Sequence, residues 1–314
     1  MARYLDATND VAFRKIFRNE ERLKAFLNTT LRLKEGKRIQ EIKLLSPHEI
    51  PDIGQGKESI FDLKCMDESG NIFVVEMQNC RDTHFLKRAQ YYASKAYSSK
   101  LRRGDTYESE EEETPFEEAE RIKKLMPIIV VAVSSKSLFP DHIDCISFHR
   151  TLEEKTKEQH LFALSYVFIE LSKFKKSAKS IETLEDGWLH FLKYAKKDVE
   201  PPNSIKDKYL LDAYKALERF NWTPEEFDAY DRARIRREQY EDNFEDGIEI
   251  GIKKGIKKGK EEGIAIGEKR GEEKGIGLGV KAVAQSMLQK NMDISLIMEL
   301  TGLTEDAIKA LGKT

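Results

Sequence analysis

Apolar and polar residues alternate over residues 59–66 (SIFDLKCM), and β-branched and aromatic residues crowd residues 71–78 (NIFVVEMQ). That pattern predicts two β-strands. Between them Glu68, Ser69 and Gly70 form a three-residue hairpin loop, with glycine where positive φ is needed. If Asp67 pairs with Asn71, then Asp62 falls opposite Glu76, Lys64 opposite Val74 and Ile60 opposite Gln78. Directly opposed residues share a face, so Asp62, Lys64, Glu76 and Gln78 project from one side of the sheet.

The remaining pattern is read the same way. Val11, Phe13, Ile16, Phe17, Leu23, Phe26, Leu27 and Leu31 recur at mixed three-and-four spacing, predicting helix over residues 9–31 with a break near Asn19 and a cap at Asn9 or Asp10. Residues 38–45 predict a strand. Residues 83–101 predict a helix that turns Phe85, Ala89, Tyr92, Ala96 and Ser99 inward. The apolar run LMPIIVVAV at 125–133 predicts a strand buried on both faces, hence the sheet centre. Residues 145–149 and 165–171 are further strands, with a polar segment around 153–159 between them. From residue 181 the chain turns helical, over 181–196, 205–220 and 224 to about 242. The last of these opens with a capping box, Thr223 with Glu226, with Pro224 at the first helical position and Trp222 placed to staple onto Phe227.

Glycine then recurs every four residues from Gly247 to Gly279, nine times. On an α-helix such a stripe drifts about 40° per step and winds round the axis, so it cannot form one straight interface. Nine glycines cost an isolated helix about 8–9 kcal/mol relative to alanine. Two readings stand: a marginal helix ordered by self-association into a homo-oligomer, and a flexible charged linker. A dinucleotide-binding loop is excluded, because no strand precedes the repeat. After it, Asp293 caps a helix over 294–300, a turn runs through Gly302, and Thr304 caps a helix over 305–311. The pair resembles two-thirds of a helix-turn-helix, but with Lys309 as the one base on its second helix it reads as a small interaction module.

Composition narrows the class. Charged residues make up 35% and hydrophobic ones 39% of 314 residues, so much of the chain is solvated helix around a modest core. A net charge of −2 does not mark a nucleic-acid binder, and basic patches have to be found locally. One lies at residues 81–103, with seven Lys or Arg against one Asp. Lys87, Arg88 and Lys95 there are candidates to track a DNA backbone, or simply a solvated basic face. Residues 108–120 hold eight acids and no base, a surface loop. Three cysteines without paired spacing read as reduced thiols, and six scattered histidines show no metal-binding spacing. With no signal-like or spanning apolar run, the expectation is a cytoplasmic protein without a membrane partner.

Two carboxylates set opposite each other repel unless something neutralises them. Asp62 and Glu76 therefore read either as a solvated face or as a site for a divalent cation, Mg²⁺ being commonly held by one or two carboxylates with water and phosphate oxygens.

An acid, a hairpin turn, then Glu-x-Gln, in order with NDVAFRKIF, FDLKC, VEMQN, FLKRAQYYASKAY and YVFIELSKF and the glycine-rich tail, resembles the recombination-promoting nuclease (Rpn) and transposase branch of the PD-(D/E)XK nucleases. The resemblance spans most of the chain. It implies a restriction-endonuclease-like fold and a Mg²⁺-dependent DNA endonuclease, with Mn²⁺ as substitute metal, in recombination or mobile-element processes. It implies that Asp62 and Glu76 hold the metal, that Gln78 orients the attacking water and that Lys64 adds positive charge. Asp10, on the first helix, is either a further metal ligand or a plain helix cap. Two departures stand out: Gln78 replaces the superfamily's Lys, and Phe61 replaces Pro before the first acid, although Pro51-Asp52 upstream carries the literal letters. The alternative reading is a non-catalytic DNA-binding or scaffolding protein with a degenerate site. The expected organisation is a nuclease-like core over 1–178, a helical extension over 179–243, the glycine repeat over 244–280 and a C-terminal module over 281–314.

Overall fold

The computed structural model describes residues 2–46, 48–49, 59–60, 62–98, 119–120, 122–123 and 125–312. Pro51-Asp52, Phe61, Ser99 and the acidic segment up to residue 118 lie outside the described residues. Two compact units divide the chain, Met1–Glu241 and Asp242–Thr314.

The first unit opens with α1 (Asp10–Phe17) and α2 (Glu20–Thr30). Asn9 caps α1, accepting from the Val11 and Ala12 N–H groups, and Asn19 caps α2, so the predicted break is a second helix start. Strands β1 (Ile42–Leu45), β4 (Leu63–Asp67), β5 (Ile72–Gln78), β6 (Ile128–Ser134), β7 (Ile146–Thr151) and β8 (Leu161–Glu170) build one sheet in the order β1-β4-β5-β6-β8-β7. It is mixed: β5, β6 and β8 run parallel, and the outer pairings are antiparallel. The predicted register holds, with Lys64 opposite Val74. Gly70 sits at φ +85° and donates to the Asp67 carbonyl, as a side chain-free left-handed turn position requires.

Residues 59–66 are not a single strand: β3 (Ser59–Ile60) pairs with β2 (His48–Glu49) in a separate two-stranded sheet, so Ile60 lies opposite His48 and not Gln78. The strand that enters the main sheet starts only at Leu63, because Asp62 forms a bend and its side chain takes over a main-chain pairing there.

Helix α3 (Phe85–Ser98) covers one face of the sheet through Phe85, Ala89, Ala93 and Ala96, against Ile72, Val74, Val130 and Phe168. Tyr92 packs partly buried against the same cluster, and Ala93 joins it fully buried. The other face packs on α1, α2, α4 (Leu184–Tyr194) and α5 (Lys208–Leu217), with Phe13, Phe17, Phe26, Trp188 and Phe191 in ring contact. Strand β6 is buried on both sides, as predicted.

Helix α6 runs unbroken over Pro224–Gln289. Its capping box is formed: Glu226 N–H donates to Thr223 Oγ1 at 3.3 Å and Thr223 N–H to Glu226 Oε2 at 3.0 Å. The Trp222 ring packs against Tyr230 at 5.8 Å. The expected end near residue 242 is not seen, and the whole glycine repeat is helical. Ion pairs one turn apart, Lys253–Glu249, Lys257–Glu261 and Lys258–Glu262, accompany the glycines, each contributing about 0.3–0.5 kcal/mol.

In the second unit, α7 (Ile294–Thr301) is capped by Asp293, and α8 (Glu305–Leu311) by Thr304, with Gly302 in the left-handed region between them. Ala284 of α6, Ile297 and Ile308 form their shared core, so the end of α6 is the first member of a three-helix cluster. Among the described residues no helix is long and apolar enough to cross a membrane.

Candidate active site at the carboxyl end of strand β5

In open α/β sheets ligands bind beyond the carboxyl ends of the parallel strands, and the candidate acids lie there. Glu76 stands near the end of β5. Asp62, just ahead of β4, is fastened to it: its Oδ2 accepts the Met77 N–H at 2.8 Å, and its own N–H points at Glu76 Oε1 at 3.4 Å. Both side chains are half-buried. Burial pushes the Asp62 carboxyl from 3.8 up to about 6, with the Asp10 charge adding to the rise and the Met77 N–H, Arg14 and Arg88 opposing it. Burial and the neighbouring Asp62 charge drive Glu76 well above 4.5, against Arg88. The pair is an electrostatically unfavourable couple held in place by the fold.

Asp10 enters from the first turn of α1, where its Oδ1 accepts from Asn79 Nδ2 at 2.9 Å. The helix-cap reading of Asp10 does not hold. Asn9 does the capping, and the Asp10 charge is felt by Asp62 and Glu76. Asn79 is buried, and among the described residues its Oδ1 has no hydrogen-bond partner. Gln78 is committed at both ends: Nε2 donates to the Cys80 carbonyl at 2.8 Å and Oε1 accepts from Arg88 at 2.7 Å. The Arg88 guanidinium also pairs with Asp82. Arg88 thus turns from the α3 surface into the site. It is the cation that acts on both carboxylates. Lys64 is buried further along β4, opposite Val74. Lys87 is exposed and Lys95 half-buried on α3.

A cavity of about 300 Å³ opens over this edge, lined on one side by Asp10, Gln78, Asn79, Asp82 and Arg88. Its other wall is α6, through Ala233, Arg236, Arg237 and Tyr240. Sequence reasoning missed that wall, since some 160 residues separate it from β5 and no local periodicity links them. Asn79, next to the predicted Gln78, carried a signal only as part of VEMQN. A second cavity of about 220 Å³ lies at the other end of β5, beside Asp67, Asn71 and Arg150.

The donor set fits a hard divalent cation. Two adjacent carboxylates are oxygen donors of the kind Mg²⁺ takes, with water or phosphate completing its shell; neither lines the cavity, whose wall carries Asp10 and Asn79. Among the described residues no group of three or more His, Cys, Asp and Glu side chains is placed to hold a metal ion.

Comparison with known proteins identifies the family. Residues 7–245 match the PD-(D/E)XK nuclease family transposase model, and residues 281–313 match the C-terminal HTH domain of the Rpn/YhgA-like nuclease family. The C-terminal helices are thus those of a helix-turn-helix domain, and not simply the interaction module expected from their few basic residues. No curated protein and no solved structure matches the chain. With the match covering the sheet, the paired acids and the helices around them, the chain belongs to the PD-(D/E)XK nuclease family transposases.

Proposed function

We propose that the chain is a Mg²⁺-dependent DNA endonuclease acting in recombination or mobile-element processes. The observation that carries this reading is the couple of Asp62 and Glu76, adjacent, half-buried and raised in pKa, with the Arg88 charge acting on both. Asp62 and Glu76 would hold the metal, with Asp10 near enough to bias it. A bound Mg²⁺ polarises the scissile phosphate and lowers the pKa of the attacking water. The chain's own residues do the rest. Arg88 supplies the fixed positive charge that the superfamily's Lys would have given at position 78, stabilising charge that develops on the phosphoryl oxygens. Gln78 holds Arg88 in position through its Oε1, so its amide serves to orient the cation as much as a water. The helix-turn-helix domain contributes DNA affinity apart from the active site. The glycine-repeat helix, with Ile256, Ile276 and Leu278 each at least two-thirds exposed, is where copies of the chain would associate.

The test is nicking of supercoiled plasmid. Wild-type protein should nick in Mg²⁺ or Mn²⁺ and not in EDTA, and Glu76→Ala should abolish this. The second reading, a non-catalytic DNA-binding protein, is favoured by the protein partners that both ends of the Gln78 amide already have. DNA binding with no metal-dependent nicking would establish it instead.

A further inference from the structure

The α6 wall of the cavity carries chemistry that the catalytic reading does not use. Ala233, Arg236, Arg237 and Tyr240 recur at i, i+3, i+4 and i+7, the spacing of one helix face. On a packed helix that face carries apolar side chains. Here only Ala233 is buried, and it keeps the space between helix and strand open. Asp10 is held by Asn79 and Asp82 by Arg88, so the acids on the opposite wall already have partners. Arg237 reaches Asp6 only at 3.7 Å. Among the described residues the Arg236 side chain is exposed and makes no hydrogen bond or ion pair, and Tyr240 is 48% exposed with no ring contact.

We propose that Arg236 and Tyr240 form a docking subsite for an unpaired nucleic-acid strand, Arg236 binding a phosphate and Tyr240 stacking on the base of a nucleotide adjoining the cut. The placement of that nucleotide beside the scissile phosphate rests on the nuclease reading, whereas the contact itself does not. An unpaired strand fits better than a duplex for a physical reason. A duplex hides its base faces in its own stack and offers only edges in its grooves, whereas an exposed ring beside a free guanidinium matches the stacking-plus-phosphate recognition of single strands. The substrate class is therefore a single strand, a flap or a locally melted end.

Binding is measured by fluorescence anisotropy with the full chain in Ca²⁺, using labelled single-stranded DNA, single-stranded RNA and blunt duplex DNA over a salt series. Tyr240→Ala should weaken single-strand binding about tenfold and leave duplex binding unchanged, and Tyr240→Phe should bind as wild type. Arg236→Ala should lower the slope of log K against log salt by about 0.7 on single strands. Arg232→Ala, which removes an exposed partner of Asp228, should change nothing. Unequal effects on the DNA and RNA strands would identify the sugar and uphold the contact. Single-strand affinity unchanged in both Tyr240→Ala and Arg236→Ala, with far-UV circular dichroism confirming the fold, would overturn the proposal, as would equal losses on strand and duplex. Loss of nicking in Glu76→Ala is a separate readout, so failure of the nuclease reading and failure of the subsite are distinguishable.

Discussion

The carboxylate of Asp62 accepts the Met77 N–H at 2.8 Å, just past the last main-chain pair of the β4–β5 hairpin, Leu63 with Val75. An acid thereby replaces a backbone carbonyl in the ladder, and it arrives beside a second acid. The fold is forcing together two groups that water would keep apart.

That tension has a pH signature. The folded pKa of Asp62 is raised from 3.8 to about 6, and that of Glu76 is raised well above its ordinary value. Between the unfolded and folded values the native state holds more protons than the unfolded chain, so stability falls as pH rises. The contribution is fully present below the unfolded pKa and is lost as pH climbs through about 6 for Asp62, with Glu76 acting in the same direction. Allowing for solvent screening at a half-buried side chain, Asp62 accounts for on the order of 1–2 kcal/mol. Thermal melts in EDTA should show Tm declining from pH 5 to 8. Asp62→Asn, which keeps an acceptor for the Met77 N–H, should flatten the decline and raise Tm at pH 8 by about 2–4 °C. Mg²⁺ should raise the wild-type Tm at pH 8 and leave that of the variant nearly unmoved. Equal Mg²⁺ shifts in both proteins would contradict the assignment of Asp62 as a ligand.

Arg88 joins Gln78 Oε1 and Asp82 with one guanidinium, a two-sided contact that an ammonium cannot reproduce. If it supplies the missing charge of the site, Arg88→Ala should slow Mg²⁺-dependent nicking on the order of a hundredfold. Arg88→Lys should recover only a small part of that loss. Duplex affinity in Ca²⁺ should change much less than the cleavage rate. A parallel fall in both would make Arg88 a backbone-tracking residue, the role its position on a basic helix first indicated.

How far the sequence reveals this site follows from which interactions are local. The hairpin register was legible because period-two alternation and a glycine turn together admit one pairing, and that pairing brings the two acids together. The bend at Asp62 was not, since a side chain substituting for a main-chain acceptor leaves the alternation intact. Helicity through the glycine repeat was not legible either. Propensity counts each glycine against the helix but gives no weight to its continuity with a well-capped start at Thr223. The α6 wall was beyond reach altogether, for Arg236 and Tyr240 meet Gln78 only through the tertiary packing of α1, α5 and α6.

Glu170, at the end of β8, is fully buried and accepts three bonds: from the Leu138 N–H at 2.6 Å, the Phe139 N–H at 3.1 Å and Lys173 Nζ at 2.9 Å. It anchors the loop after β6. Removing one partner of a buried ion pair leaves the other uncompensated. Glu170→Ala should therefore lower unfolding free energy by about 3–5 kcal/mol, seen as a lower urea midpoint at unchanged m. Residual nicking by the folded fraction should keep its Mg²⁺ dependence, which separates this residue from the metal site.

The glycine repeat permits the sharpest test of self-association. A Cβ built at Gly255, Gly259 or Gly263 meets nothing within 4 Å in the single chain. Alanine at these positions is therefore free of clashes in the monomer and should stabilise α6 by about 0.8–1 kcal/mol per site. If helices of two copies approach closely along this stretch, the same methyl groups stand between them. The triple variant Gly255→Ala, Gly259→Ala, Gly263→Ala should then show stronger helical circular dichroism on heating together with a smaller sedimentation coefficient at a given concentration. Stability and assembly would move in opposite directions, which no purely intramolecular role for the glycines produces. An unchanged sedimentation profile alongside increased helicity would mean that the repeat serves as a spacer between the nuclease unit and the helix-turn-helix domain, with no contact between copies through it.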